Sequence, residues 1–184
     1  MRKRLIWAIT LLLTAVLAAD TQYASARRKF DQIESDRLRP GTRIELTPGE
    51  LNAYAEHEVP AGVRNPQLRL VSPGVATGTA LVDFVKLRRA QGGDPGWLMT
   101  KLLDGERPVS VTARIHSANG QATVEVEQVQ VSGMTIDGSA LDFLIQNVLL
   151  PLYPDAAVGR PFDLGHRIER LNVQPGAVTV LIGQ

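Results

Sequence analysis

The 184-residue chain contains no cysteine, and this absence excludes disulfide bonds, thiol catalysis and thiolate metal sites. The chain also lacks an excess of charge of either sign, because it has 20 Lys and Arg residues and 19 Asp and Glu residues. A net charge of +1 gives no indication of nucleic-acid binding. The hydrophobic share of 44% is ordinary for a folded domain and excludes a wholly disordered protein, a collagen and a polytopic membrane protein. The length suits one domain, or one domain with short tails.

One long apolar run is present, at the N-terminus. Arg2-Lys3-Arg4 precedes an apolar stretch at residues 5–19, and Ala24-Ser25-Ala26 follows it. A basic start, an apolar core and an A-x-A site are typical of a secretory signal peptide. The run is shorter than the ~20 residues that cross a bilayer as a helix, but a count extended past Asp20 would suit an uncleaved signal anchor. Residues 1–26 are therefore predicted to be a signal peptide or a signal anchor.

This leader predicts an extracytoplasmic protein, either periplasmic or secreted, or one anchored to the inner membrane by residues 5–19. An exported domain without cysteine suits a bacterial cell envelope. Residues 27–41 are rich in charge and end in Pro-Gly, which predicts a charged tether or a short helix that faces solvent in either case. Residues 42–184 are predicted to form a single α+β domain.

The periodicity of this domain predicts strands in hairpins with helices between them. Thr47-Pro48-Gly49-Glu50 has the spacing of a capping box with proline at the first helical position. Pro73-Gly74 and Asn119-Gly120 are turn signals, and a shift of the apolar phase predicts a β-bulge near Glu127-Gln128. The predicted strands are at 43–46, 67–72, 75–85, 107–117, 167–174 and 177–182, with a return strand after Asn119-Gly120 that carries Val124 to Val131. The predicted helices are at 48–59 and 139–153, with a short helix that follows an N-cap at Asp94 and ends at Asp104.

These elements predict an α+β fold with a curved antiparallel sheet of about six to seven strands built from hairpins. Two longer helices and one short helix are expected to pack on one face of that sheet. Ser139 and Asp142 have capping-box spacing at the start of the last helix. Pro151 is expected to kink or end that helix.

Residues that could carry a reaction are scattered along the chain. His57, His116 and His166 lie on three different predicted elements, without the spacing that a zinc site requires. Glu56 and Glu58 flank His57, but adjacent helix positions do not face each other. The chain has no G-x-S-x-G elbow and no phosphate-binding glycine loop. The aspartates that are best explained by caps and turns are Asp83, Asp142, Asp155 and Asp163. We therefore expect no catalytic residues, no metal and no cofactor.

The unusual feature is a surplus of apolar side chains on two predicted helices. A helix that lies on one sheet needs an apolar stripe about 100° wide, and the helix at 139–153 has apolar residues outside that stripe. These residues could form a closed core, a groove for a lipid or another apolar ligand, or an interface with a protein partner or a second copy. The residues predicted to line a groove are Trp97, Leu102, Leu103, Phe143, Leu149, Leu150 and Tyr153.

Lys86-Leu87-Arg88-Arg89 forms a small basic cluster, interpreted as a solvated strand end, with contact to an anionic lipid headgroup as the alternative.

Three phrases resemble those of the YpmS-like and LmeA-like bacterial extracytoplasmic proteins. They are Leu46 to Asn52 (LTPGELN), Val131 to Ile136 (VSGMTI), and Pro161 to Leu164 (PFDL) leading into Ile168 to Gly176 (IERLNVQPG). In those families a helix begins after the first phrase, and a late helix precedes a final hairpin. The resemblance implies a non-enzymatic, lipid-associated role at the cell envelope and transfers no residue roles.

Together these observations predict an exported, non-catalytic cell-envelope protein that binds a lipid or other apolar ligand between helices and sheet. The alternative is a membrane-tethered protein–protein interaction module, or a homodimer, that uses the same apolar faces. The expected partners are a lipid, the membrane surface or an envelope protein, and nucleic acid is not expected.

Overall fold

A computed structural model describes residues 20–150 and 158–184, without the side chains of Leu98, Met99, Leu102 and Leu103. Within this part, the predicted α+β class is confirmed. The strands divide between a six-stranded and a three-stranded antiparallel sheet, instead of forming one curved sheet. The reason is that the first strand pairs with the last strand, and this pairing separates them from the central hairpins.

The elements follow one another along the chain as helices and hairpins. The strands are β1 (Arg43–Leu46), β2 (Val63–Ser72), β3 (Val75–Val82), β4 (Arg107–Ala118), β5 (Gln121–Val131), β6 (Met134–Thr135), β7 (Phe162–Asp163), β8 (Ile168–Gln174) and β9 (Ala177–Ile182). The helices are α1 (20–34), α2 (Pro48–Glu58), α3 (Phe84–Ala90), α4 (Gly96–Leu103) and α5 (Gly138–Leu144), which continues into a π-helix (Ile145–Leu149).

The two sheets are built from neighbouring antiparallel strands and touch each other. The large sheet has the order β2-β3-β4-β5-β6, with β7 paired to β5, and the small sheet has the order β1-β9-β8. The amide of Gly74 in the β2–β3 turn donates to the carbonyl of Val173 on β8 at 3.0 Å. The amide of Leu171 donates to Ser117 Oγ on β4 at 2.9 Å. A shared apolar cluster lies between the sheets, formed by Leu70, Ala76 and Val173.

Three predictions about the hairpins are confirmed. Pro73-Gly74 forms the β2–β3 turn, with Gly74 at φ +74°. Asn119 and Gly120 both have positive φ, +53° and +77°, as a two-residue hairpin turn that follows the sheet's twist requires. In the β4–β5 pairing, Gln128 and Val126 oppose consecutive residues of β4, so Glu127 is the extra residue of a β-bulge.

The helix α1 corrects the expectation for residues 27–41. The helical alternative is found for residues 27–34, but the helix includes residues 20–26 as well. The expectation that this segment faces solvent is wrong, because Ile33 is 5% exposed in the core of the small sheet and Phe30 packs against the same cluster. Ala26 is completely buried. α1 is therefore an integral layer of the fold.

The start of α2 confirms the predicted capping box. The amide of Glu50 donates to Thr47 Oγ1 at 3.2 Å, and the amide of Thr47 donates to Glu50 Oε2 at 2.8 Å. Farther along α2, the side chain of Asn52 donates to the carbonyl of Leu68 at 3.0 Å and accepts from its amide at 2.5 Å. Asn52 therefore joins α2 to the outer edge of β2.

The helix α3 replaces the end of a predicted strand. The strand predicted at 75–85 ends at Val82, and the carboxylate of Asp83 accepts from the amide of Lys86 at 2.8 Å to cap α3. The prediction that Lys86 to Arg89 form a strand end is therefore wrong, since these residues lie on a helix. Phe84, Val85 and Leu87 of α3 are buried in a cluster with Val82 and Val131.

The last described helix differs from its prediction at its start. The helix begins at Gly138 with Asp137 at the N-cap, and Asp137 makes no side-chain capping hydrogen bond. The predicted capping box from Ser139 is wrong, because Ser139 already lies inside the helix. The α-helix widens to a π-helix at Ile145, where the amide of Asn147's side chain donates to the carbonyl of Phe143 at 2.9 Å. Residues 151–153, including Pro151, lie outside the described residues.

Candidate functional site

One end of the molecule is made of short helices, and we call α3, α4, α5 and the π-helix the helical end. α3 contacts both α4 and the π-helix. Its buried residues hold it against the ends of β3 and β5. α3 therefore contacts both of the apolar helices identified from the sequence.

The most exposed aromatic side chain of the described residues is Trp97, on the first turn of α4. Trp97 is 74% exposed, and Lys101 Nζ lies 6.0 Å from the centroid of its ring. Just before this turn, the carboxylate of Asp94 accepts from the amide of Gly96 at 2.9 Å. Arg89 of α3 lines the same open cleft, whose volume is about 580 Å³. An indole and two cations thus share one surface.

The segment Gly138–Leu149 is rich in apolar residues and buries none of them fully. Leu144 and Val148 pack against the α3 cluster while half-buried. Phe143 is 36% exposed, and Met134 on the neighbouring hairpin is 65% exposed. A helix that lies on a core normally buries one face. Here the apolar face is only partly covered by the domain itself.

The seven residues predicted to line a groove are distributed over this helical end. Trp97 and Phe143 are exposed, and Leu149 and Leu150 are half-buried at the end of the π-helix. Leu102 and Leu103 lie in the last turn of α4, with side chains outside the description, and Tyr153 lies outside the described residues. The lining of a groove by these residues therefore stays a prediction.

Sequence reasoning missed the cations that accompany Trp97. Lys101 is four residues after Trp97, a spacing that puts both on one helix face. Arg89 was visible as part of a basic cluster but was assigned to a strand. The α3–α4 segment at 84–103 contains four basic residues and a single acid, Asp94, in a chain with a net charge of +1; the basic residues are Lys86, Arg88, Arg89 and Lys101.

The candidate chemical residues do not come together in the described part of the chain. The ring of His57 stacks on that of Tyr23, with 3.9 Å between the ring centroids. His116 is exposed on β4, and His166 Nδ1 lies 3.5 Å from Asp36 Oδ1. Asp83 caps α3 and Asp163 accepts from Gln121. Residues 20–150 and 158–184 contain no group of three or more His, Asp or Glu residues that could hold a metal ion.

The most strongly perturbed carboxyl group of the described residues is Glu50, and it has structural partners. Burial raises the pKa of Glu50, but hydrogen bonds from Lys29, Ser25 and Thr47 outweigh that effect and lower the pKa to about 2. Lys29 Nζ lies 2.6 Å from Glu50 Oε1, and Ser25 Oγ donates to the same oxygen at 2.6 Å. Lys29 also donates to the carbonyl of Glu45 at 2.6 Å. The Lys29–Glu50 pair therefore connects α1 to α2, and Lys29 connects α1 to β1.

The phrases that carry the family resemblance have structural roles in this fold. Thr47 and Glu50 form the capping box, and Asn52 binds the edge of β2. Ser132-Gly133, with φ of +52° and +79°, forms the turn between β5 and β6.

No model of a known protein family, no curated protein and no solved structure matches this chain. The resemblance to YpmS-like and LmeA-like proteins accordingly stays a prediction. Among the described residues, no helix is both long enough and apolar enough to span a bilayer.

Proposed function

We propose that this protein is an exported cell-envelope protein that binds a lipid, without catalysing a reaction, at its helical end. The observation that carries the proposal is the incomplete burial of Gly138–Leu149, whose apolar residues include none that is fully buried. An apolar surface left open by its own domain is suited to an apolar partner. The exposed ring of Phe143 marks the part of this surface that a ligand would cover.

A lipid fits this end better than a wholly apolar molecule, because cations lie beside the apolar helices. Arg89 and Lys101 line one cleft with Trp97. Indole rings and long basic side chains are the groups that proteins place at the boundary between headgroups and acyl chains. The basic start and the apolar run at residues 2–19 support export to a compartment where such a lipid is present.

The test is native mass spectrometry of the full-length chain, purified gently from an exporting host and followed by organic extraction. We expect a stoichiometric lipid that is released on denaturation. A ligand-free mass with no extractable lipid contradicts the proposal. In that case the same faces would serve a protein partner or a second copy, which cross-linking of the intact chain would detect.

A matched pair of variants locates the binding surface. The double substitution Phe143→Ser and Leu149→Ser should remove the bound lipid while circular dichroism shows an unchanged fold. The control is Val71→Ser, another exposed apolar residue, at the far end of β2 from α3 and about 26 Å from Val63 along the strand. Equal lipid loss in both variants would contradict a site at the helical end.

A further inference from the structure

We infer that the surface formed by Lys86, Arg89, Trp97 and Lys101 docks on the face of an anionic lipid bilayer. This inference rests on the proposed function and names where its lipid comes from. All four residues belong to the helical end, and all four are exposed.

The first argument is the local charge. Between Asp83 and Asp104, the segment at 84–103 carries four cations and one carboxylate, that of Asp94, which accepts from the amide of Gly96. Lys86 lies one turn before Arg89 on the same side of α3. The three exposed cations of this surface, Lys86, Arg89 and Lys101, are complementary to an anionic surface.

The second argument is the position of the indole ring. Trp97 is 74% exposed, Lys101 Nζ lies 6.0 Å from the centroid of its ring, and Arg89 lines the same cleft. A tryptophan ring that stays in water does not contribute the favourable free energy that its burial would give. At a bilayer the ring would enter the headgroup region while the cations contact phosphates.

The experiment reads Trp97 itself, because the apolar leader could bind vesicles by its own means. The full-length chain carries Trp7→Phe, so that Trp97 is its only tryptophan. The protein is mixed with vesicles of phosphatidylcholine alone or with phosphatidylglycerol, each with brominated acyl chains that quench nearby indole. We expect a blue shift and quenching of Trp97 emission with the anionic vesicles and neither with the neutral ones.

Charge variants supply the control. Each cation near an anionic surface strengthens binding about fivefold, so the triple substitution K86Q/R89Q/K101Q should reduce the Trp97 response to near background. The matched variant R43Q/R170Q removes two exposed cations of the small sheet and should respond like the parent chain. Equal emission with both vesicle types, or an undiminished response of the triple variant, overturns the inference.

The two proposals fail separately. If a lipid copurifies with the protein but Trp97 does not respond to vesicles, the proposed function is supported and the docking surface is overturned. A Trp97 response with no copurified lipid supports the docking surface and contradicts the proposed function.

A second inference comes from α1, independently of the helical end: the structure assigns residues 20–26 to the folded domain, so the exported protein is not cut after Ala26. Cleavage there would remove Ala26, which is fully buried, and the Ser25 hydrogen bond to Glu50. It would also remove Tyr23, whose ring stacks on His57 and whose hydroxyl donates to Glu58 at 3.1 Å. The remainder, 27–34, would be about two turns, too short to be stable as a helix by itself.

Intact mass measurement of the protein recovered from the envelope of an exporting host tests this inference. We expect an N-terminus at or before Asp20, and the same N-terminus in Ala24→Glu. Residue 24 is exposed, so this substitution spares the packing while it removes the small residue that an A-x-A site needs. A chain that begins at Arg27 in the parent but not in Ala24→Glu overturns the inference.

Discussion

The two ends of this molecule use apolar residues in opposite ways. At one end, α1, α2 and the small sheet, which we call the clamp layer, enclose Ile33, Ile44, Leu46, Val180 and Ile182 at 8% exposure or less. At the helical end, α3 buries its apolar side chains in a core cluster, but Gly138–Leu149 buries no residue completely and Trp97 is open to solvent. Apolar content therefore does not by itself locate the core, since both ends are rich in apolar residues. What distinguishes them is whether the domain supplies the second surface.

The largest expected effect concerns the core of the clamp layer. Ile182 is 2% exposed, so Ile182→Ala should leave a cavity and lower the free energy of unfolding by about 2–5 kcal/mol. Urea unfolding of the full-length chain, followed by circular dichroism, measures this loss. Val71→Ala, at a site that is 55% exposed, should change stability by no more than about 0.5 kcal/mol. A similar cost at both positions would remove the distinction between core and surface.

The next effect concerns the polar connection between α2 and the large sheet. Asn52→Leu leaves the amide and the carbonyl of Leu68 without their side-chain partner, and we expect a loss of about 1–3 kcal/mol. Asn52→Asp keeps the acceptor but not the donor, so its stability should fall between those of the parent and Asn52→Leu. If Asn52→Leu unfolds at the same urea concentration as the parent, the two hydrogen bonds contribute nothing net.

A smaller effect depends on pH. The folded pKa of Glu50, about 2, lies below its ordinary value of 4.5, so this carboxylate stabilises the fold above pH 4.5 and loses that contribution as the pH falls to 2. We expect a loss of about 1–2 kcal/mol, less than the pKa difference alone implies, because Lys29 is 29% exposed and solvent screens the pair. Unfolding curves of the parent and Glu50→Gln at a series of pH values should differ near neutrality and converge at pH 2. Parallel curves would contradict this role.

The smallest effect is expected at the helical end. Phe143→Ser removes a ring that is already 36% exposed, and we expect a change in the free energy of unfolding within about 0.5 kcal/mol. Thermal unfolding of the lipid-free full-length chain measures it. A loss above about 2 kcal/mol would make Phe143 part of the core, and the contrast between the two ends would weaken.

Features governed by neighbouring residues could be predicted from the sequence. The capping box at Thr47 and Glu50, the Asn119-Gly120 turn and the bulge at Glu127 each depend on a few adjacent side chains. The division into two sheets could not be predicted in this way. It depends on the pairing of β1 with β9, which are more than 130 residues apart.

Two errors had signals in the sequence. One face of α1 is apolar and carries Tyr23, Ala26, Phe30 and Ile33. The predicted end of the signal peptide after Ala26 divided this apolar face between two segments. In α3, the run Phe84-Val85 continued an apolar strand, and Asp83, although expected to serve a cap or a turn, was not taken as the start of a helix. For the candidate site, the apolar surplus was recognised, whereas the exposure of Trp97 beside Lys101 required the structure.

The side chain of Asn52 occupies the place that a neighbouring strand would take beside Leu68. Strand β2 lies at the edge of the large sheet, where unpaired amides and carbonyls invite another chain to add a strand. The carboxamide satisfies both groups of Leu68 at the middle of that edge, and Pro66 nearby has no amide to offer. This edge is therefore a poor template for the addition of a strand from a second molecule.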